Sequence, residues 1–237
     1  MFELPLLGRD ETVRIAPSKI IAIGLNYTAH ISESASAKAR GISKELPSEP
    51  VLFAKTPNVL IPPGSPIVLP AIVGGYEFRN PRTDYEGELA LLIGRRAKRV
   101  SEAEALGHVC GYTCMNDVSQ RNIQNSDVSG WFRGKCFDTF GPIGPVVVPA
   151  ETMKNPQALA IQTRLNGTVV QDSNTAAMIF GIPRLISFIS HNLTLEPGDI
   201  IATGTPSGVG PLSHGDVVEV EIEGIGTLRN PVVAEET

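Results

Sequence analysis

Glu86 and Glu88 stand two residues apart in TDYEGELALLIG (Thr83–Gly94), at the head of an apolar run and just after Asp84. On an extended chain, residues i and i+2 share a face and lie roughly 6.5–7 Å apart, so the two glutamates point at one spot while Tyr85, Gly87 and Leu89 point away. Carboxylates that close, leading into a segment built for burial, repel and raise one another's pKa unless a cation lies between them. A third acid, Asp117, ends the strand-like run GYTCMND. Three carboxylates without a His or Cys partner suit a hard cation, Mg2+ or else Mn2+ or Ca2+, with positions left open for water or substrate oxygens. The competing reading is an edge strand whose acids face solvent. Gly87, between the glutamates, leaves the opposite face open to close backbone approach, and Asp84 falls nearer the loop as an outer or solvent residue.

Three further groups have types and surroundings that suit chemistry. Lys135, in FRGKCFD, follows Gly134 and precedes an apolar-aromatic stretch, so its stem can be buried while its ammonium faces an oxyanion; a snorkelling surface lysine is the competing reading. His30 and Glu33 are three apart, on one face of any helix there, where the carboxylate can orient the imidazole and raise its basicity. The stretch TGTPSGVG (Thr203–Gly210) lacks the Gly-Lys-Ser/Thr ending and the following helix of a phosphate loop. It reads instead as a tight turn presenting Thr203, Thr205 and backbone N–H groups to a carboxylate.

The elements that must position these residues are mostly strands. With 23 Gly and 19 Pro as punctuation, runs rich in Val, Ile and Thr predict strands at 19–24, 51–54, 67–69, 88–93, 108–115, 144–148, 159–165, 168–171, 199–202 and 216–223. Asn166-Gly167 predicts a type I′ hairpin turn, because both positions need positive φ. Helices are few. Ser101 and Glu104 form a capping box before a short one, Ile182–His191 has apolar residues at helical spacing, and a small, polar segment from about Thr28 to Arg40 suits a lid. Residues 1–17 read as an N-terminal hairpin appended to one catalytic domain, 18–237. Without regular alternation of strand and helix, the expected class is α+β, mainly β, a roll of packed, curled sheets.

At 237 residues, 42% hydrophobic and 19% charged, the chain has the make-up of a globular protein with one main core. Its formal charge of −5 argues against nucleic acid or an anionic membrane as partner. No window approaches ~18 consecutive apolar residues, and the opening lacks the basic-then-apolar order of a signal peptide, so the expected location is the cytoplasm. Cys110, Cys114 and Cys136 indicate neither a disulfide framework nor a zinc site.

Six stretches in order, GLNYTAH (Gly24–His30), DYEGELALLIG (Asp84–Gly94), YTCMNDVSQR (Tyr112–Arg121), GKCFDTFGPIGP (Gly134–Pro145), RLNG (Arg164–Gly167) and LEPGDIIATGTPSGVG (Leu195–Gly210), resemble the fumarylacetoacetate hydrolase family. That resemblance implies a mixed β-sandwich roll, a homodimer, and metal-assisted cleavage or isomerisation of 2-oxo acids. It places Glu86, Glu88 and Asp117 on the metal ligands, His30 and Glu33 on the catalytic dyad and Lys135 on the active-site lysine. Thr205 falls on a substrate-carboxylate contact beside Gly204, and Gln124 near a position that touches substrate in some members. Leu25 departs from the Arg of certain acylpyruvate hydrolases, Asn122 from the Asp that follows the Arg in many members, and the segment 71–83 looks longer than usual.

The shared chemical step implied is stabilisation of a pyruvate-type enolate by a cation on the keto oxygen. C–C hydrolysis or decarboxylation of a small 2-oxo acid ranks first, isomerisation or tautomerisation of a 2-hydroxy-dienoate or oxaloacetate-like diacid second, and a non-catalytic metal-binding β scaffold last.

Overall fold

A computed structural model describes residues 2–33, 46–128 and 130–236, the side chains of 31–33 excepted. The largest sheet runs in the order β4 (Val51–Lys55), β3 (Ile20–Gly24), β14 (Ile200–Ala202), β8 (Gly87–Ile93), β9 (Val109–Asn116), β11 (Gly141–Pro149) and β5 (Leu60–Ile61). A second sheet has the order β13 (Thr168–Asn174), β12 (Ala160–Leu165), β16 (Val217–Ile222), β17 (Gly226–Ala234) and β6 (Ile67–Leu69). A short third sheet joins β10 (Ser119–Gln120), β7 (Thr83–Tyr85) and β15 (Gly210–Pro211). The class is α+β and mainly β, as the residue pattern predicts, and the strands expected from Val, Ile and Thr runs all form.

Strand β8 is the centre of the fold. All seven of its residues are buried, because it is covered on both faces, which is why its sequence is a continuous apolar run. Leu89, Leu91 and Ile93 join a core with Ile161, Val220 and Ile222 of the second sheet. Ala90 and Leu92, on the other face, join a core with Met115, Ile143 and Val147. The N-terminal hairpin, β1 (Phe2–Pro5) with β2 (Thr12–Ile15), adds Leu4 and Ile15 to that second core, and Leu7 N–H donates to the Val147 carbonyl at 2.9 Å.

Five helices decorate the sheets among the described residues: α1 (Thr28–Glu33), α2 (Glu102–Ala105), α3 (Arg121–Ser126), α4 (Phe132–Lys135) and α5 (Ile182–Asn192). Helix α2 starts at the Ser101–Glu104 capping box. Helix α5 buries Ile182, Leu185, Ile186 and Ile189, an i, i+3, i+4, i+7 stripe. The expected helix from Thr28 to Arg40 is seen as α1, and 34–40 lie outside the described residues. Asn166 and Gly167 take φ of +52° and +82°, the hairpin turn expected between β12 and β13. No helix among the described residues is long and apolar enough to cross a membrane.

Strand β17 and helices α3 and α4 lie outside the sequence reading. Strand β17 is not among the strands expected from Val, Ile and Thr runs; at its Asn230-Pro231 step, Asn230 is buried and donates to the carbonyls of Pro62 and Ser65. Helices α3 and α4 are too short and polar to show a periodicity, and the α3 N-terminus is capped by the Gln120 side chain, which accepts from Ile123 N–H at 2.8 Å.

Gly87 is the point where the second sheet comes nearest to β8. A Cβ added there would lie 2.2 Å from Thr163 Oγ1 and 3.2 Å from Val220 Cγ1. Gly87→Ala is therefore expected to cost about 1–3 kcal/mol by overpacking, read as a drop of several degrees in the thermal unfolding midpoint. An unchanged midpoint would show that the sheets are not in the contact described.

Candidate metal centre

The register of β8 on β9 assembles the acids. Gly87 pairs with Asn116 and Glu88 with Met115 in antiparallel register, so one step further Asp117 comes opposite Glu86. Directly opposite residues share a face, with Cβ atoms about 4.5–5.5 Å apart. Two hydrogen bonds fix that last step: Glu86 N–H donates to Asn116 Oδ1 at 2.9 Å, and Asp117 N–H donates to the Glu86 carbonyl at 2.8 Å. One oxygen from each of Glu86, Glu88 and Asp117 lies within 4.8 Å of the others, and all three side chains are buried. The edge-strand reading with solvent-facing acids is thereby excluded.

The protein brings its own cations to this cluster. Lys135 Nζ lies 2.7 Å from Glu86 Oε2 and 2.5 Å from Asp117 Oδ2, and only 2% of Lys135 is exposed, so it does not snorkel. Arg121 donates to Glu86 Oε1 and, through Nε at 2.7 Å, to Asp84 Oδ2. Lys55 Nζ is 2.6 Å from Asp117 Oδ1, outside hydrogen-bond angles, and donates to the carbonyl of Lys135 at 2.6 Å. Asp84 is fully buried between Arg121 and Arg82, which corrects its reading as a solvent residue and leaves it as an outer support.

Four buried carboxylates thus meet three buried cations, with Arg82 half-exposed at the rim. Burial pushes the Glu86 carboxyl up, but Arg121, Lys135 and His30 together hold it well below the usual range. Burial lowers Lys135, yet Asp117 and Glu86 outweigh it and raise it; at Lys55, with one acid instead of two, burial prevails. Glu88 has no ion pair among the described residues. Burial first, then Asp117 and Glu86, push its carboxyl well above the ordinary value, and the charge of Lys135, followed by Gly204 N–H at 2.8 Å from Oε2, offsets this only in part. An under-compensated carboxylate beside two others, all oxygen donors, is the donor set that a hard divalent cation satisfies. Glu86, Glu88 and Asp117 would hold it.

The TGTP turn supports this cluster from the far side. Gly204, at φ +98°, could carry no side chain because a Cβ would lie 2.8 Å from Asn26 Cβ. Thr205 Oγ1 donates to the Gly87 carbonyl at 2.9 Å and accepts from Gln171 Nε2 at 2.9 Å, and Thr203 Oγ1 donates to the Leu89 carbonyl at 2.8 Å. The carboxylate met by the Gly204 N–H is therefore that of Glu88. Asn26 anchors the turn: Nδ2 donates to the carbonyls of Thr203 and Phe180, and Oδ1 accepts from Phe180 N–H.

A cleft of about 310 Å³ of empty space opens over the acids, lined by Glu86, Glu88, Lys135, Arg121, Gln124, Thr205 and His30 on its polar side and by Leu25, Phe53 and Trp131 on the other. His30, on α1, is 6% exposed. The side chain of Glu33, its expected partner, lies outside the described residues. Gln124 Oε1 accepts from Arg121 Nη1 at 3.0 Å. Leu25 is buried at φ +59°, a conformation that a leucine rarely takes. Asn122 does not bond behind Asp117: its Oδ1 accepts from Arg82 N–H at 2.8 Å and its Nδ2 donates to the Asn80 carbonyl at 3.1 Å, so it pins the end of the long 71–83 segment.

Sequence reasoning did not single out Arg121, Lys55, Asn26, Asn116 or Gln171. Arg121 and Asn116 lie inside a quoted motif, and Asn116 adjoins an assigned acid, a usable signal; Lys55 and Gln171 act through contacts 62 and 34 residues away in sequence.

Replacing Glu88 by Gln removes the least compensated charge while keeping the shape. Glu88→Gln is expected to weaken Mn2+ binding at least tenfold by calorimetry, with the metal-free unfolding midpoint unchanged or higher. Mn2+ should raise the wild-type midpoint and not that of the variant, because a cation that binds only the folded state stabilises it. Equal Mn2+ affinity in both chains would remove Glu88 from the centre.

Comparison with known proteins supplies the lineage of this arrangement. Residues 19–233 match the family model for the fumarylacetoacetate (FAA) hydrolase C-terminal region. The mitochondrial oxaloacetate tautomerase FAHD2A of Bos taurus is 38% identical over 98% of this chain and 73% of its own. The structure described as 2-hydroxyhepta-2,4-diene-1,7-dioate isomerase from Mycobacterium marinum is 42% identical with a TM-score of 0.79, covering 94% of this chain and 77% of that one. Fumarylpyruvate hydrolase from Pseudomonas aeruginosa, solved with Mn2+ and pyruvate, is 29% identical with a TM-score of 0.82 over 99% of this chain and 96% of that one. The buried acids, their strand register and these matches agree: the chain belongs to the fumarylacetoacetate hydrolase family, and its family members include hydrolases, isomerases and tautomerases.

Proposed function

We propose that this protein is a divalent-metal-dependent enzyme that interconverts the keto and enol forms, or shifts the double bond, of a small 2-oxo acid. The observation that carries the reading is the convergence of Glu86, Glu88 and Asp117 with Lys135 and the buried His30 on one small cleft. When bound, Mg2+ or Mn2+ supplies Lewis-acid stabilisation of the charge that develops on the substrate's keto oxygen. His30 takes the proton from the carbon next to that oxygen and returns it. Lys135 offers positive charge beside the same oxygen, the Gln124 amide N–H positions the substrate carboxylate, and Thr205 joins it by turning its hydroxyl from the Gly87 carbonyl. The apolar wall of Leu25, Phe53 and Trp131 excludes bulk water from the enolate.

This order reverses the ranking drawn from the residues alone. Relatives named as tautomerase or isomerase are 38–42% identical, whereas the solved maleylpyruvate and fumarylpyruvate hydrolases are 33% and 29% identical. Hydrolytic C–C cleavage is the second reading, favoured by the place of His30 in the same cleft, where it could deprotonate water. Both readings have the protein acting on a small molecule, and a homodimer in the cytoplasm is the accompanying proposal.

The discriminating experiment treats the purified chain with chelator and follows enol oxaloacetate, a 2-hydroxy-dienoate diacid and fumarylpyruvate by ultraviolet absorbance, with and without Mg2+ or Mn2+. Metal-restored turnover of the first or second substrate supports the proposal, and cleavage of the third alone supports hydrolysis instead. His30→Ala is expected to lower kcat by about 10²–10⁴-fold with Mn2+ affinity intact. Absence of turnover with either metal, or a wild-type rate in the His30 variant, would sink this mechanism.

A further inference from the structure

We propose that Lys55 is a positioning residue that holds Asp117 and Lys135 in one fixed geometry through a single buried ammonium. The inference rests on the metal-centre reading above and deepens it. Lys55 ends β4 and pairs in register with Ile20 of β3, at the inner end of an edge strand, and its side chain is fully buried. Its Nζ meets three oxygens: Asp117 Oδ1 at 2.6 Å, the Lys135 carbonyl at 2.6 Å and the Val118 carbonyl at 3.3 Å. The two carbonyls take hydrogen bonds from the ammonium, and Asp117 Oδ1 holds it as an ion pair.

Those three oxygens belong to two different segments. Asp117 and Val118 follow β9, the strand that supplies the acid, whereas the Lys135 carbonyl ends α4, the helix that supplies the second ammonium. The Lys135 side chain returns to the other oxygen of Asp117, Oδ2, at 2.5 Å. The contacts therefore close a loop: Lys55 grips Asp117 by one oxygen and the Lys135 backbone by its carbonyl, and Lys135 grips Asp117 by the other. With Oδ1 and Oδ2 held by separate cations, the Asp117 carboxylate cannot rotate without breaking an ion pair.

A structural purpose alone does not call for a lysine here. A buried ion pair is replaced by apolar residues of similar volume with little loss of stability in many proteins, whereas removal of one partner exposes the other's uncompensated charge. What an apolar side chain could not do is orient Asp117, and supports behind metal-binding carboxylates change metal affinity or activity by about 10–100-fold.

The test measures Mn2+ alone, by calorimetry and by the electron paramagnetic resonance of the bound ion, in the full-length wild type and in Lys55→Met and Lys55→Arg. Thermal midpoints are recorded in parallel. The expected result is a loss of Mn2+ affinity of about 10–100-fold with an altered resonance spectrum in either folded variant, and no further loss when Lys55→Met is added to Asp117→Asn. Lys55→Arg keeps a charge at the site and carries the test if Lys55→Met fails to fold. Wild-type affinity and spectrum in the Arg variant, or additive losses in the double variant, would overturn the inference. A wild-type chain that binds no Mn2+ would overturn both this inference and the metal centre; a wild type that binds while the Lys55 variants bind equally well would overturn only the role of Lys55.

Discussion

Four carboxylates, Asp84, Glu86, Glu88 and Asp117, are buried at one end of the central sheet, and the rest of the structure is organised around compensating them. A buried, unpaired carboxylate is costly enough that proteins either neutralise it or surround it with donors. Here Lys135, Arg121 and Lys55 each reach in from a different segment, and Gly204 N–H completes the ring. The TGTP turn, helices α3 and α4, and the end of β4 are thus tied together by the electrostatics of the cluster. The apolar core does the complementary work of holding β8 and β9 in the register that sets Asp117 opposite Glu86.

The same arrangement explains how a β scaffold becomes a reaction site. Strand β8 is apolar from Leu89 to Ile93 and acidic only at its head, so a single chain segment serves as core and as ligand platform. Gly87 is the hinge of that dual role: its missing side chain lets the second sheet press against one face while the acids occupy the other. Glu88, with no ion pair among the described residues, is the position where compensation stops short. A site that leaves one acid under-compensated is prepared for an ion from solution, and a cleft walled by Leu25, Phe53 and Trp131 limits what else can enter.

Much of this was legible in the sequence, because strand chemistry is local. Alternation places Glu86 and Glu88 on one face, Val and Ile runs mark the strands, and Asn166-Gly167 marks its own turn. Asp117 could be nominated as a strand-end acid, but its position opposite Glu86 follows from pairing, which composition does not encode. Lys135 was legible, but Lys55 and Arg121 were harder to see for the same reason. Lys55 lies 62 residues from Asp117 in sequence, on a strand whose other residues look ordinary. Asp84 reads in sequence as an outer or solvent residue because one of its two arginines, Arg121, lies 37 residues away, and Asn122, which departs from the family's Asp, holds the 71–83 segment. The motif TGTP was recognisable as a carboxylate-binding turn, yet the carboxylate that its glycine serves belongs to the protein itself.

The central claim is that Glu86, Glu88 and Asp117 form one divalent-cation site. Its most direct test is anomalous diffraction at the manganese absorption edge from crystals grown with Mn2+. The account predicts a single strong peak within coordination distance of an oxygen from each of the three side chains. No peak at that position, or a peak ligated by other residues, would contradict it.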